Sequence, residues 1–184
     1  MSDVLFEMAE KMEKSVESFK NELGKIRTGR ASISLLDGIL VDAYGSAMPI
    51  NQVGTITIPE SRMIAIQPWD VQLVSAIEKA IMKSDIGLTP MNDGKVIRLN
   101  IPQLTEERRR DLVRQVKKIA EEFRVAVRNA RRDAIETLKK QKKDKEISED
   151  ELFKLQDEAQ GETDSYIKQI DDATASKEKE VMEV

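Results

Sequence analysis

Three stretches of this 184-residue chain place apolar residues every three or four positions. The first runs Leu5, Met8, Met12, Val16, Phe19, Leu23 and Ile26. The second runs Val113, Val116, Ala120, Phe123, Val127, Ala130, Ala134 and Leu138. The third runs Leu152, Leu155, Ala159, Thr163, Tyr166, Ile170, Ala173 and Val181, broken by Lys177. A repeat close to 3.5 residues keeps one stripe turned towards a neighbour over many turns, so three long helices lying nearly parallel are predicted. Boundary signals agree. Thr105 is a candidate cap for the second helix, with Glu106 and Glu107 at the positive end of its dipole and Lys139, Lys140, Lys142 and Lys143 at the negative end. Ser148 to Glu151 reads as a capping box for the third.

The segment between the first two helices obeys other rules. Seven of the eight Gly lie between 24 and 94, and all five Pro between 49 and 102. Short β-rich runs appear at Ile39-Leu40-Val41, Thr55 to Ile58 and Met63 to Ile66, followed by a helix capped by Asp70 and carrying Val74, Ile77, Ile81 and Met82. The turn Asn92-Asp93-Gly94 then leads into Val96 to Ile101. The chain is therefore expected to be α+β: an elongated three-helix bundle from 1–29 and 105–184, with a small β/α/β domain, 30–104, inserted in it. The two crossings, Thr28-Gly29-Arg30 and Pro102-Gln103-Leu104-Thr105, are candidate hinge segments. Gly29 can also be read as the C-cap of the first helix.

Charge divides the chain as sharply as hydrophobicity does. The net charge of −4 conceals 15 of the 30 Lys and Arg between 105 and 145, against 8 acidic residues there; 146–184 carry 4 basic and 13 acidic residues. Screening confines each field to about 8 Å at physiological salt, so the local excess matters more than the total. On a wheel at about 100° per residue, Arg110, Arg114, Lys117, Arg124, Arg128, Arg131 and Arg132 fall within an arc of roughly 100° beside the apolar stripe. Asp111, Glu122, Asp133 and Glu136 fall outside it, and Glu121 interrupts it. Six of the seven cations are Arg, whose planar fork grips two oxygens of a phosphate. A basic stripe of this kind can bind RNA through phosphate and shape, or it can be a solvated face paired with the acidic third helix.

Several classes are excluded by absence. There is no Cys and no His, which removes disulfides, Cys/His metal sites, thiol nucleophiles and imidazole catalysis. No EF-hand loop and no G-x-x-x-x-G-K-[ST] loop occurs, so no metal, cofactor or nucleotide is expected. Glu106-Glu107 are capping residues rather than an acid–base pair, since adjacent side chains on a helix do not face one another. Residues 1–12 mix Asp3, Glu7, Glu10 and Lys11 into their apolar positions, unlike a signal peptide. No apolar run approaches the ~20 residues of a membrane span. Met8, Met12, Met63, Met82 and Met91 are expected to fill gaps or sit on the surface, and Trp69 to pack where a helix begins.

At Lys25-Ile26-Arg27-Thr28-Gly29-Arg30-Ala31-Ser32 and Leu35-Leu36-Asp37-Gly38 the chain resembles the N-terminal signature of the bacterial ribosome recycling factor family. Tyr44-Gly45-Ser46, Glu78 to Ile81, Ser84 to Leu88, Ile101-Pro102 with Leu104 to Arg109, Arg124 to Asn129, Arg131-Arg132-Asp133, Lys143 to Asp150 and Lys177 to Glu180 continue the match in order. The resemblance implies an L-shaped molecule with a flexible hinge and no catalytic site. It implies an activity after termination: with elongation factor G, and GTP hydrolysed by that partner, the ribosome is split into subunits and mRNA and tRNA are released. It also implies large-subunit rRNA contact through the second helix, with Arg128 and Arg131 foremost. A monomer in the cytoplasm, with no membrane partner, is expected, and Met1 starting directly in helix favours a bacterial over an organellar origin. Gly161 departs from the family, which has a longer polar residue there. From the residues alone, a coiled-coil scaffold and a regulator of some other RNA remain as alternatives.

Overall fold

A computed structural model describes residues 2–183; Met1 and Val184, which the expected domain bounds include, lie outside the described residues. The chain forms two compact units: the residues through Thr28 with those from Thr105 onwards, and Gly29–Leu104. The first holds α1 (Asp3–Gly24), α3 (Glu106–Lys143) and α4 (Glu149–Met182), each packed on the other two. All seven residues of the first predicted stripe are buried, Ile26 just beyond the helix end. Phe19 is fully buried and meets Phe123 with ring centroids 5.5 Å apart, tilted 47°. On α3 the stripe starts one residue earlier than predicted, since Leu112 is buried while Val113 is only partly so. On α4, Thr174 is buried in preference to Ala173. It and Thr163 fit an apolar seam because each hydroxyl donates at 2.7 Å to the carbonyl four residues back, of Ile170 and Ala159.

The helix ends follow their chemistry. Thr105 Oγ1 accepts from Arg108 N–H at 3.1 Å, and Ser148 Oγ from Glu151 N–H at 3.1 Å. The α3–α4 corner closes as a Schellman motif: Glu146 N–H donates to Gln141 C=O at 2.9 Å and Lys145 N–H to Lys142 C=O at 3.0 Å, with Lys145 left-handed at φ 61°. One expectation fails. α1 stops at Gly24 with Lys25 as its C-cap, so Gly29 does not cap it. The chain leaves the helix four residues earlier than the Gly pattern suggested.

The second unit is wholly antiparallel. β1 (Leu40–Ala43) and β2 (Ser46–Pro49) form a hairpin; β3 (Gly54–Glu60), β4 (Met63–Pro68), β5 (Pro90–Asn92) and β6 (Ile97–Asn100) form a sheet in the order β3-β4-β6-β5. The helix α2 (Val74–Lys83) buries Val74, Ile77 and Ile81 in a core with Val41, Ile50, Ile64, Ile66, Ile97 and Leu99. Asp70 caps the short turn before it, accepting from Gln72 N–H at 3.0 Å. β2 and β5 were not expected. β2 exists because Tyr44 (φ 52°) and Gly45 (φ 80°) both turn left-handed, the two-residue geometry that matches hairpin twist. Met82 lies on the exposed side of α2, among the surface methionines, whereas Trp69 is 68% exposed, its indole N–H donating to Thr55 Oγ1 at 3.0 Å, and does not pack as expected.

Candidate nucleic-acid interface

A helix of 38 residues spans about 57 Å, and α3 carries its cations along that length on one side. Arg110, Arg114, Lys117, Arg128 and Arg132 are exposed, while Arg124 and Arg131 are partly buried. Local carboxylates reach some of them. Glu106 pairs with Arg110 at 2.5 Å, and Asp111 with Arg114 at 3.5 Å. Lys117, Arg131 and Arg132 make no ion pair with any described residue. Arg131 Nε is itself buried with no hydrogen-bond partner among the described residues.

Arg124 behaves differently. Its side chain is 22% exposed, and it reaches Asp171 of α4 at 2.7 Å through Nη2 and 2.8 Å through Nε, and Glu121 at 3.3 Å. Burial acts to lower its affinity for the proton, but Asp171 and Glu121 outweigh that and raise it. Arg124 is thus a tie between α3 and α4, as the solvated-face reading required, while Arg110, Arg114, Lys117, Arg128 and Arg132 are turned outwards. Glu121 also takes Arg128 at 3.0 Å, and the guanidiniums of Arg128 and then Arg124 hold its carboxyl below the ordinary glutamate range.

Two features escaped the sequence reading. Arg110, Lys117, Arg124 and Arg131 recur every seven residues on α3, and Asp150, Asp157, Asp164, Asp171 and Glu178 do so on α4. Antiparallel helices with such charge lines bring opposite signs together at their flanks, and Arg124–Asp171 is the rung that closes within 4.0 Å. The seven-residue spacing was the available signal. Lys139, seven residues beyond Arg132 and exposed, also continues the stripe, although its place near the helix end suggested only a dipole role.

The candidate hinge residues are built as follows. Thr28 is buried, and its hydroxyl donates to Glu180 Oε1 at 3.0 Å. Glu180 pairs in turn with Lys177 at 3.4 Å, whose side chain is only 11% exposed, which explains how a lysine can interrupt the α4 seam. Gly29 is left-handed at φ 77°, and a Cβ there would sit 3.1 Å from Leu104 Cγ. Arg30, Pro102 and Gln103 are exposed, Leu104 is partly buried, and Thr105 is the α3 cap. No described helix is long and apolar enough to cross a membrane, and no group of three or more carboxylates among the described residues is placed to hold a metal.

Comparison with known proteins bears on the same residues. The family model for ribosome recycling factor matches residues 19–182. A ribosome-recycling factor of Desulfotalea psychrophila is 74% identical over 184 residues, covering all of both chains, and one of Desulfosudis oleivorans is 56% identical over 178 residues, covering 97% of this chain and 96% of the relative. A solution structure of the ribosome recycling factor superposes with a TM-score of 0.76 at 48% identity, covering 99% of this chain and 97% of that one. A second structure holds the T. thermophilus ribosome recycling factor and E. coli elongation factor G bound to the E. coli post-termination complex; it matches at a TM-score of 0.63 and 44% identity over the full length of both chains. A likeness that runs through α1, the inserted unit and both long helices, at these identities, places the chain in the ribosome recycling factor family.

Proposed function

We propose that this chain binds the post-termination ribosome and, with elongation factor G and GTP, splits it into subunits, releasing mRNA and tRNA. The observation that carries the reading is the outward basic stripe of α3 in a member of this family, a relative of which is bound with elongation factor G on the post-termination complex. The helical bundle, 1–29 with 105–184, is the RNA-binding part. Arg110, Arg114, Lys117, Arg128, Arg131 and Arg132 grip large-subunit rRNA phosphates, and Arg124 contributes from its tie to Asp171. Phosphate contact needs no base reading and draws the factor to its site electrostatically. The protein acts as a monomer in the cytoplasm.

The inserted domain, 30–104, turns on Thr28-Gly29-Arg30 and Pro102 to Thr105, and passes force from elongation factor G to the bundle. The left-handed Gly29 against Leu104 supports that pivot, because any other residue would be strained there. The energy is the partner's GTP, since this chain carries no phosphate-binding loop. Light scattering tests the function. Post-termination ribosomes mixed with this protein, elongation factor G and GTP should lose scattering as subunits separate. No loss beyond the reactions lacking the protein would refute it.

A further inference from the structure

Glu121 stands in the middle of the cationic arc, between Lys117 and Arg124, where it weakens attraction for RNA, yet it is not needed to hold the helix. An exposed carboxylate paired along one helix contributes little to stability. Its two oxygens are divided between two guanidiniums on the same face: Oε1 lies 3.0 Å from Arg128 Nη1, and Oε2 lies 3.3 Å from Arg124 Nη1. Two oxygens spread across two forks is the arrangement that the non-bridging oxygens of a phosphate would adopt. We propose that Glu121 is an internal stand-in for phosphate, holding Arg128 in the free protein and yielding it to rRNA on binding, so that the factor binds less tightly than its arginines allow and can leave after each round.

This rests on the reading of α3 as the rRNA-binding helix. The two arginines are not equivalent in it. Arg124 keeps Asp171 at 2.7 Å when Glu121 lets go, so it stays against α4. Arg128 has Glu121 as its partner and is 48% exposed, so it can be handed over without opening the bundle. Glu121 is itself 55% exposed, and the exchange requires only rotation of its side chain. The flanking arginines favour its ionised form, so at neutral pH it competes as an anion. Glu122, next along the chain, is exposed on another side and pairs with none of these residues.

Binding of large ribosomal subunits should be measured for the wild type, Glu121→Gln, Glu122→Gln and Arg128→Ala, across a salt series and with dissociation rates. Glu121→Gln should bind about three- to tenfold more tightly, dissociate more slowly and steepen the slope of log K against log salt by up to about 0.9. In multiple-turnover splitting it should be slower than wild type. Glu122→Gln removes the same charge and should leave binding close to wild type. If Glu121 instead served to position Arg128, Glu121→Gln would weaken binding, and that result, or no change, would overturn the proposal. Equal tightening by Glu122→Gln would also overturn it, as an effect of net charge. Arg128→Ala binding like wild type would instead remove the rRNA reading on which the proposal stands.

Discussion

Burial in the bundle repeats: Leu5, Met8, Met12, Val16, Phe19 and Leu23 meet matching positions on α3 and α4, and no residue among them has an unusual backbone. Burial in the inserted unit is gathered in fourteen residues from strands, turns and one short helix, and it depends on special geometry between them. Gly54 lies so close to β4 that a Cβ would come 2.7 Å from the Gln67 carbonyl oxygen. Asp93 accepts from Lys95 N–H and Val96 N–H, both at 2.9 Å, and from Arg98 at 3.0 Å. A periodic seam spreads its stability over many similar contacts; a small sheet concentrates it in a few backbone requirements. Substitutions in one unit should therefore differ in kind from those in the other.

The largest expected effect is in the bundle. Phe19→Ala empties the centre of the seam beside Phe123 and should cost about 3–5 kcal/mol, read as a lowered midpoint of the helical circular-dichroism transition in urea. Next comes Gly54→Ala, for which the obstructing atoms are backbone and cannot swing aside. It should destabilise the inserted unit by about 1–3 kcal/mol, seen in the fluorescence of Trp69, the single tryptophan, with the helical signal less affected. Equal shifts of both signals in both variants would break the comparison by showing one cooperative unit.

A smaller gain is expected at Gly161, which lies inside α4 with nothing within 4 Å of an added Cβ. Gly161→Ala should stabilise the bundle by about 0.5–1 kcal/mol, measured by the same circular-dichroism midpoint. The finest test concerns pH. The N–H groups of Val96 and Lys95, then Arg98, hold the Asp93 carboxyl well below the usual carboxylate range. A depressed folded value means the contribution is complete above about pH 4, the unfolded value, and is lost as pH falls through the folded one. The stability difference between wild type and Asp93→Asn should be constant from pH 7 to about 5 and close only in stronger acid. Closure near neutrality would assign that turn to another group.

How far the sequence could be read follows from the same contrast. The seams of α1, α3 and α4 were legible to within a residue, because every turn repeats the signal. β2 and β5 were not: Ser46-Ala47-Met48-Pro49 and Pro90-Met91-Asn92 carry little strand preference, and each is a strand because β1 or β6 pairs with it. Tyr44 concealed the hairpin turn by standing where Asn or Asp is usual. Trp69 was misjudged because size suggests burial, whereas its indole N–H is satisfied at the surface by Thr55. In the candidate site, the wheel grouped the seven cations, but it could not show that Asp171, 47 residues away in the chain, ties Arg124 to α4.

The central claim, that cations along α3 contact rRNA phosphates, is tested most directly by the salt dependence of large-subunit binding for the wild type and Arg131→Ala. Removing one phosphate contact should weaken binding at every salt concentration and reduce the slope of log K against log salt by roughly one unit. An affinity and a slope identical to those of the wild type would contradict it.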